Sequence, residues 1–157
     1  MKLKDSQSIE LDGIDKIILN NLSNNARLSV AYIAKLVGIS PTAIHQRIHK
    51  LENSGLITGT RIEYDIKVLG YSTVAFIGIF LDKSTSYNAV VSELEAIPEV
   101  LEAHFTTGNY SIFAKIICKD NNHLMKVLNG SVQSIKGIVR TETIISLDQR
   151  INRQLKL

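Results

Sequence analysis

Between residues 11 and 55, apolar side chains recur at spacings of three and four, a pattern that predicts three short helices. Each helix begins after a side chain that can accept a hydrogen bond from a free backbone N–H: Asp12, Ser29 and Ser40. Pro41 suits the first turn of the third helix, and Gly38 suits the end of the second. The second and third helices, joined by the short turn 38–40, therefore have the dimensions of a helix-turn-helix motif.

From residue 72 onward the pattern changes, because runs rich in β-branched and aromatic residues alternate with helical stretches. The predicted elements are a strand at 72–82, a helix at 87–97, strands at 100–107 and 110–118 around Gly108 and Asn109, a helix at 122–135, and a last strand at 138–147. This βαββαβ order is the ferredoxin-like arrangement. The predicted fold class is therefore α+β.

The two patterns also predict the division of the chain into domains. Residues 11–64 are predicted to form a winged-type helix-turn-helix domain that ends in a short strand at 56–64. Residues 65–71 are predicted to be a linker, and residues 72–150 to form the ferredoxin-like domain.

The predicted sheet has apolar side chains on both of its faces. The strand at 110–118 places Ile112, Ala114, Ile116 and Cys118 on one face, and Phe113 and Ile117 on the other. The strand at 72–82 likewise has Val74, Phe76 and Phe80 opposite a second apolar set. Both helices of a ferredoxin-like unit cover the same face, so the other face needs a partner. A two-fold homodimer is the commonest solution.

Composition narrows the functional classes without selecting one. Of the 157 residues, 45% are hydrophobic and 21% are charged, values typical of a folded globular protein. No apolar run approaches the roughly 18 residues of a membrane helix, and the N-terminus lacks the apolar core of a secretory signal. The single cysteine, Cys118, excludes an internal disulfide. The cytoplasm is the expected location, and no membrane partner is expected.

The net charge of +3 is placed unevenly along the chain. Residues 1–62 carry eight Lys or Arg and five Asp or Glu, a balance of +3, whereas residues 63–157 carry ten of each, a balance of zero. This asymmetry weakly favours a polyanionic partner for the first part of the chain. A similar excess also occurs in proteins that bind no nucleic acid.

The third predicted helix carries the chemistry of a DNA-recognition helix. Ile44, Ile48 and Leu51 share one side and are expected to face the core. At about 100° per residue, the opposite side presents hydroxyl, imidazole and amide groups that can hydrogen-bond base edges. The residues predicted to contact bases are Thr42, His45, Gln46 and His49, and those predicted to contact phosphates are Ser40, Arg47 and Lys50. Double-stranded DNA is accordingly the predicted partner.

Less specific interpretations of these residues stay open. A polar helix face is often only solvated, and three-helix packs occur in proteins that do not bind DNA. His45 and His49, four residues apart, also resemble part of a metal site, but no neighbouring Cys or acid completes a ligand set. The sequence shows no paired nucleophile and base and no glycine-rich phosphate loop, so neither an enzyme nor a cofactor is predicted.

Four segments of the chain resemble one family of regulators. They are LDGIDKIIL (residues 11–19), NARLSVAYIAKLVGISPTAIHQRIHKLENSGLITG (25–59), TTGNYSIF (106–113) and GIVRTETIISL (137–147). The first two are similar to the opening and the helix-turn-helix of the Lrp/AsnC, or feast/famine, transcriptional regulators. The last two are similar to the signatures of that family's C-terminal RAM domain, named for regulation of amino-acid metabolism. The resemblance spans roughly residues 11–150.

The resemblance implies a homodimer built through the C-terminal sheets, often assembled further into tetramers or octamers. It also implies an amino acid or related metabolite as effector, bound between RAM domains. The effector site carried over by position comprises Gly108, Asn109, Tyr110, Ser111, Thr141 and Thr143. Many relatives have an acid where this chain has Ser111, and a hydroxyl cannot neutralise an ammonium group. A different effector, weak binding or no effector would each be compatible with this difference, and Gly108-Asn109 also suits a plain hairpin turn.

Together the patterns and the resemblance predict a sequence-specific DNA-binding transcription regulator that responds to an amino acid or related small metabolite. Its two recognition helices would enter successive major grooves of a partly palindromic operator, separated by one DNA turn of about 34 Å or a multiple of it. The alternative is an architectural DNA-binding protein with mainly non-specific contacts and no effector response.

Overall fold

The computed structural model describes residues 9–157. The chain folds as two compact units that divide the sequence unevenly. The helical unit comprises the described residues up to Glu63 together with Asn152–Leu157, and the sheet unit comprises Tyr64–Ile151. In the described residues, no helix combines the length and the apolar character needed to cross a membrane.

The helical unit contains the three predicted helices, and the predicted caps begin them. The helices are α1 (Gly13–Asn24), α2 (Val30–Val37) and α3 (Pro41–Asn53). The side chains of Asp12, Ser29 and Ser40 each accept a hydrogen bond from a backbone N–H three residues ahead, at 2.8, 3.2 and 3.2 Å. Gly38 ends α2 with φ at +74°, a left-handed conformation that glycine adopts without strain. The helix predictions are confirmed.

A small aliphatic core holds these helices together. Ile18 of α1, Ile33 of α2 and Ile44 of α3 are fully buried, and Leu51 is almost so. Ile48 is half-buried and packs against the same cluster. Each buried aliphatic side chain contributes about 1.5–3 kcal/mol relative to exposure, so these residues together stabilise the packing of the three helices.

The segment Asn152–Leu157 packs against α1, a contact that the sequence did not predict. The side-chain nitrogen of Asn20 donates to the carbonyl oxygen of Leu157 at 3.0 Å. The side-chain oxygen of Asn20 accepts from the backbone N–H of Leu157 at 3.1 Å. One asparagine thus satisfies both backbone groups of a residue 137 positions away.

The short strand predicted at 56–64 is wrong for the single chain. Residues 58–64 have no regular secondary structure and pair with no strand, because the described part of the helical unit contains no second strand to hydrogen-bond with them. Leu56 and Ile57 instead donate their backbone N–H groups to the carbonyl of Leu51, both at 3.2 Å, and so close the end of α3. Ile62 and Tyr64 are largely exposed.

The sheet unit is a four-stranded antiparallel sheet with helices on one face. Its strands are β1 (Thr73–Leu81), β2 (Val100–Phe105), β3 (Ile112–Cys118) and β4 (Ile138–Ser146), and its helices are α4 (Tyr87–Glu95) and α5 (Asn121–Val127). The strand order is β2-β3-β1-β4. This is the predicted ferredoxin-like βαββαβ arrangement, which confirms the fold class.

The core of the sheet unit lies between the sheet and its helices. Alternate residues of the two central strands point into it, among them Ala75, Ile77, Ile79, Ile112, Ala114, Ile116 and Cys118. Val90 and Leu94 of α4 close it from the other side. Burial raises the pKa of the Cys118 thiol to about 11, so this cysteine stays a neutral core side chain.

Two predicted boundaries differ from the structure. The strands around Gly108-Asn109 stop earlier, and the connection between them runs over six residues, 106–111. A two-residue hairpin turn would need positive φ in that pair, and neither residue has it. The helix predicted at 122–135 is α-helical only to Val127 and widens into a π turn over Leu128–Val132, a segment that contains Gly130, a residue of low helix propensity.

Candidate nucleic-acid interface

The outer side of α3 is exposed along the length of the helix. Thr42, His45, Gln46 and His49 are all exposed, and so is Lys50. Ile44 and Leu51 on the opposite side are buried and fix which way this polar side points. The structure therefore brings the four predicted base contacts onto one accessible surface, which we call the recognition face.

His49 of the recognition face and the predicted phosphate contact Ser40 both have polar neighbours within the helical unit. Nδ1 of His49 lies 3.1 Å from a carboxylate oxygen of Glu52, one turn further along α3. The Ser40 hydroxyl oxygen accepts from the Ala43 N–H, which leaves the hydroxyl proton of Ser40 able to donate to a phosphate. Lys50 forms no ion pair with any acid in residues 9–157, so its charge is not compensated there.

Arg47, a predicted phosphate contact, has other partners in the structure. Its Nη1 lies 2.6 Å from a carboxylate oxygen of Asp12 and 2.7 Å from one of Asp15. The backbone N–H of Asp15 and the guanidinium of Arg47 lower the pKa of Asp12, and both carboxylates raise the pKa of Arg47. A phosphate contact by Arg47 would have to compete with two carboxylates, so this geometry does not support that prediction.

Asp12 and Arg47 border the same surface depression as residues of the recognition face. This cleft, of about 410 Å³, is lined by Asp12, Ala43, Gln46, Arg47 and Lys50. The sequence did not associate Asp12 with the recognition face, because capping explains an acid at the start of α1 without any tertiary partner. Within the described residues, His45 and His49 belong to no group of three potential metal ligands.

The loop 106–111, the main part of the predicted effector site, is tied to the sheet on both sides. Ser111 donates its N–H to the carbonyl of Ile79 at 2.8 Å, and its hydroxyl oxygen accepts from the N–H of Leu81 at 3.3 Å. The Tyr110 hydroxyl donates to Glu142 at 2.9 Å. This hydrogen bond raises the pKa of Tyr110 above its ordinary value, so the phenol stays protonated. Gly108 and Asn109 are exposed at the tip.

The other predicted effector residues lie on the opposite face of the sheet. Thr141 and Thr143 of β4 pair with Ile79 and Ile77 of β1, whose side chains point into the helix-covered core. Thr141 accepts a hydrogen bond from Gln133 at 3.0 Å. Since neighbouring strands share their faces, one chain does not bring these threonines and the Tyr110 ring into a single pocket.

The face of the sheet away from the helices carries a row of aromatic rings. Phe76 stacks on Phe113 with centroids 5.6 Å apart, and Tyr110 stacks on Phe113 at 5.9 Å. Phe80 meets Tyr110 edge to face, and the guanidinium of Arg140 lies 4.0 Å from the Phe80 ring centroid. Together with Ile144, which is half exposed, these residues form what we call the aromatic face. No element of the sheet unit covers it.

A helix-turn-helix unit with an exposed polar recognition helix, followed by a ferredoxin-like unit, defines the class of two-domain DNA-binding regulators. Comparison with known proteins gives the family within this class. Residues 11–52 match the AsnC-type helix-turn-helix domain, and residues 74–155 match the Lrp/AsnC ligand binding domain. The chain belongs to the Lrp/AsnC family of transcriptional regulators.

Individual relatives agree with this assignment. The regulatory protein AsnC of Escherichia coli K12 is 43% identical over 146 residues, covering 93% of this chain and 96% of that one. The solved structure of E. coli AsnC superposes with a TM-score of 0.91, at 42% identity over 95% of this chain and all of the other. The transcriptional regulator NMB0573 of Neisseria meningitidis, solved as an L-Met complex, has the same fold, with a TM-score of 0.89 and 21% identity over 94% of this chain and 96% of that one.

Proposed function

We propose that this regulator recognises specific DNA sequences through the recognition face of α3. The observation that carries the proposal is the outward exposure of Thr42, Gln46 and His49 on a helix whose other side is locked into the core. Amide and hydroxyl groups in that position can pair with base edges, and a glutamine amide such as that of Gln46 can form two hydrogen bonds to adenine. Lys50, with no acidic partner in the described chain, and the Ser40 hydroxyl supply phosphate contacts.

The proposed active species is a homodimer or a larger assembly of homodimers. Support comes from the aromatic face, where Phe76, Phe80 and Phe113 are only half-buried in one chain. Pairing two such faces about a two-fold axis would remove this apolar surface from water. A two-fold axis would also give the assembly two copies of α3, one for each half-site of a partly palindromic operator.

Replacing Gln46 with Ala should relax base preference at one operator position, with a loss of about 1–3 kcal/mol there. Lys50→Ala should instead weaken binding to all sequences. It should also reduce the slope of log affinity against log salt by about 0.9, the amount expected for one lost phosphate contact.

Gel-shift titrations over a salt series, after selection of bound sequences from a random library, measure both effects. Lys126→Ala, an equal charge change on α5, is the matched control.

The alternative, an architectural protein, has a different expected result. Selected sites should bind at least about a thousandfold more tightly than random DNA if the protein is a specific regulator. Equal affinities, or a selection that yields no motif, would refute sequence-specific recognition and favour the architectural function.

The proposed effector is an amino acid or related metabolite bound at the loop 106–111 of the sheet unit. Thr141 and Thr143 face away from the aromatic face, so they would have to come from a neighbouring dimer and not from the partner across that face. The L-Met complex of the N. meningitidis protein supports this ligand class. Sedimentation and gel-shift experiments with single amino acids should show a ligand that shifts both the assembly state and operator affinity, since the two equilibria are linked. A panel in which no amino acid changes either quantity would contradict an amino-acid effector.

A further inference from the structure

The N-terminal capping box of α1 is joined to the recognition helix through one guanidinium. One oxygen of Asp12 accepts from the N–H of Asp15 at 2.8 Å, and one oxygen of Asp15 accepts from the N–H of Asp12 at 3.3 Å. The remaining oxygen of each carboxylate accepts from Nη1 of Arg47, at 2.6 and 2.7 Å. All four carboxylate oxygens are therefore used, and Arg47 of α3 is tied to the first turn of α1.

Arg47 lies at a position on α3 where its hydrogen bonds to Asp12 and Asp15 would restrain rotation of the helix about its axis. It follows Gln46 directly, and it lies one turn before Lys50 and between the buried side and the recognition face. A side-chain tip lies about 5.5 Å from the helix axis, so a rotation of about 20° moves it by roughly 2 Å. A displacement of that size breaks a base-edge hydrogen bond, which tolerates only a few tenths of an ångström.

By their charge alone, Asp12 and Asp15 should weaken DNA binding. The triad of Arg47, Asp12 and Asp15 carries a formal charge of −1, and it shares a cleft with Gln46 and Lys50. A net negative charge beside a DNA-binding surface repels phosphates, so its removal alone would strengthen binding. Asp15 is nevertheless 5% exposed, a burial that an unpaired carboxylate would not tolerate.

We infer that Asp12 and Asp15, which do not lie on α2 or α3, are positioning residues for sequence recognition. They act through Arg47 by restraining the rotation of α3 more tightly than its core packing does alone. Their contribution opposes and exceeds their electrostatic repulsion when the DNA sequence is correct. On random DNA no base contact depends on the orientation of α3, so only the repulsion between the two carboxylates and the phosphates affects affinity. The role rests on the proposed function, since it presupposes that α3 contacts bases.

The test compares Asp15→Asn with wild type on a selected operator and on random DNA. We expect about tenfold weaker binding to the operator, in the range of one charged hydrogen bond, with equal or tighter binding to random DNA. Glu10→Gln is the matched control, because it removes one negative charge from the same unit at an exposed residue without an ion pair in residues 9–157. It should tighten both complexes slightly or leave both unchanged.

A salt series on Arg47→Gln gives an independent measurement. A positioning role leaves the salt slope of operator binding unchanged while affinity falls, whereas loss of a phosphate contact lowers the slope by about one unit. A lowered slope, or an Asp15→Asn protein that binds both DNAs more tightly, would overturn the inference. Loss of stability alone would not change the ratio of the two affinities for the folded protein.

The wild-type measurements distinguish a failure of the positioning role from a failure of the proposed function. If wild type binds the operator and random DNA equally well, the proposal of sequence-specific recognition is contradicted. If wild type distinguishes them and Asp15→Asn does so equally well, only the positioning role fails. Should Asp15→Asn not fold, Asp12→Asn provides the same comparison, because the Asp12 side chain is half exposed and its replacement leaves no buried group unpaired.

Discussion

Ile44→Ala is expected to destabilise the helical unit by about 2–5 kcal/mol, enough to unfold much of it, because the substitution leaves a cavity in a very small core. Ile44 is fully buried, and in the described residues it shares that core with only a few other fully buried side chains. Units of about 60 residues have little stability in reserve. Urea unfolding followed by far-UV circular dichroism should show an early transition for this unit, together with loss of operator binding.

The control is Leu36→Ala on α2, which removes the same number of carbon atoms from a side chain that is 55% exposed. It should change the free energy of unfolding by no more than about 0.5 kcal/mol. Equal effects of the two substitutions would mean that Ile44 does not anchor α3 in the core of the helical unit.

Gly78→Ala is expected to lower the free energy of unfolding by about 1–3 kcal/mol, although alanine is the better strand residue. A Cβ at Gly78 would lie 2.3 Å from the nearest ring carbon of Tyr110, far inside van der Waals contact. The ring crosses β1 at this point to reach Glu142 on β4, so it would have to lift away from the sheet. Stacking of Tyr110 on Phe113 would be lost with it.

A double-mutant cycle with Tyr110→Ala isolates this effect. Without the ring, Gly78→Ala should cease to destabilise and should stabilise by about 0.5–1 kcal/mol, the usual preference for alanine over glycine in a strand. All four proteins should be compared at one concentration, because the proposed dimer makes apparent stability concentration-dependent. A penalty of unchanged size in the Tyr110→Ala background would show that the overlap has another source.

The aromatic face shows how a surface can be predicted while its details are not. Alternation predicted that Phe76 and Phe80 share one face of β1 and that Phe113 lies opposite the Ile112 side of β3, but it did not predict which face the helices cover. The structure places all three rings on the face away from the helices. The crossing of Tyr110 over Gly78 joins residues 32 positions apart, which no periodicity connects. The pairing of Tyr110 with Glu142 was likewise invisible in the sequence, since it depends on β4 lying beside β1.

The strand predicted at 56–64 shows where prediction from local composition is wrong. Its residues have strand-like composition, but a strand is stable only when a neighbour satisfies its backbone groups. The described part of the helical unit offers no such neighbour, and Ile62 stays 86% exposed. Local propensity therefore predicted a strand for which residues 9–157 of one chain supply no pairing partner.

Local patterns were sufficient to predict the helices of the first unit, their caps, the succession of strands and helices along the second unit and the polar side of α3, because each depends on residues within a few positions of one another. Hydrogen bonds of caps and the periodicity of apolar residues are local properties. Only the tertiary structure decided the partners of Arg47, which lie 32 and 35 positions earlier, and the opposite faces occupied by Tyr110 and the two threonines. An arginine on a helix surface attracts phosphates and carboxylates alike, and the fold alone decides which of them lies within reach.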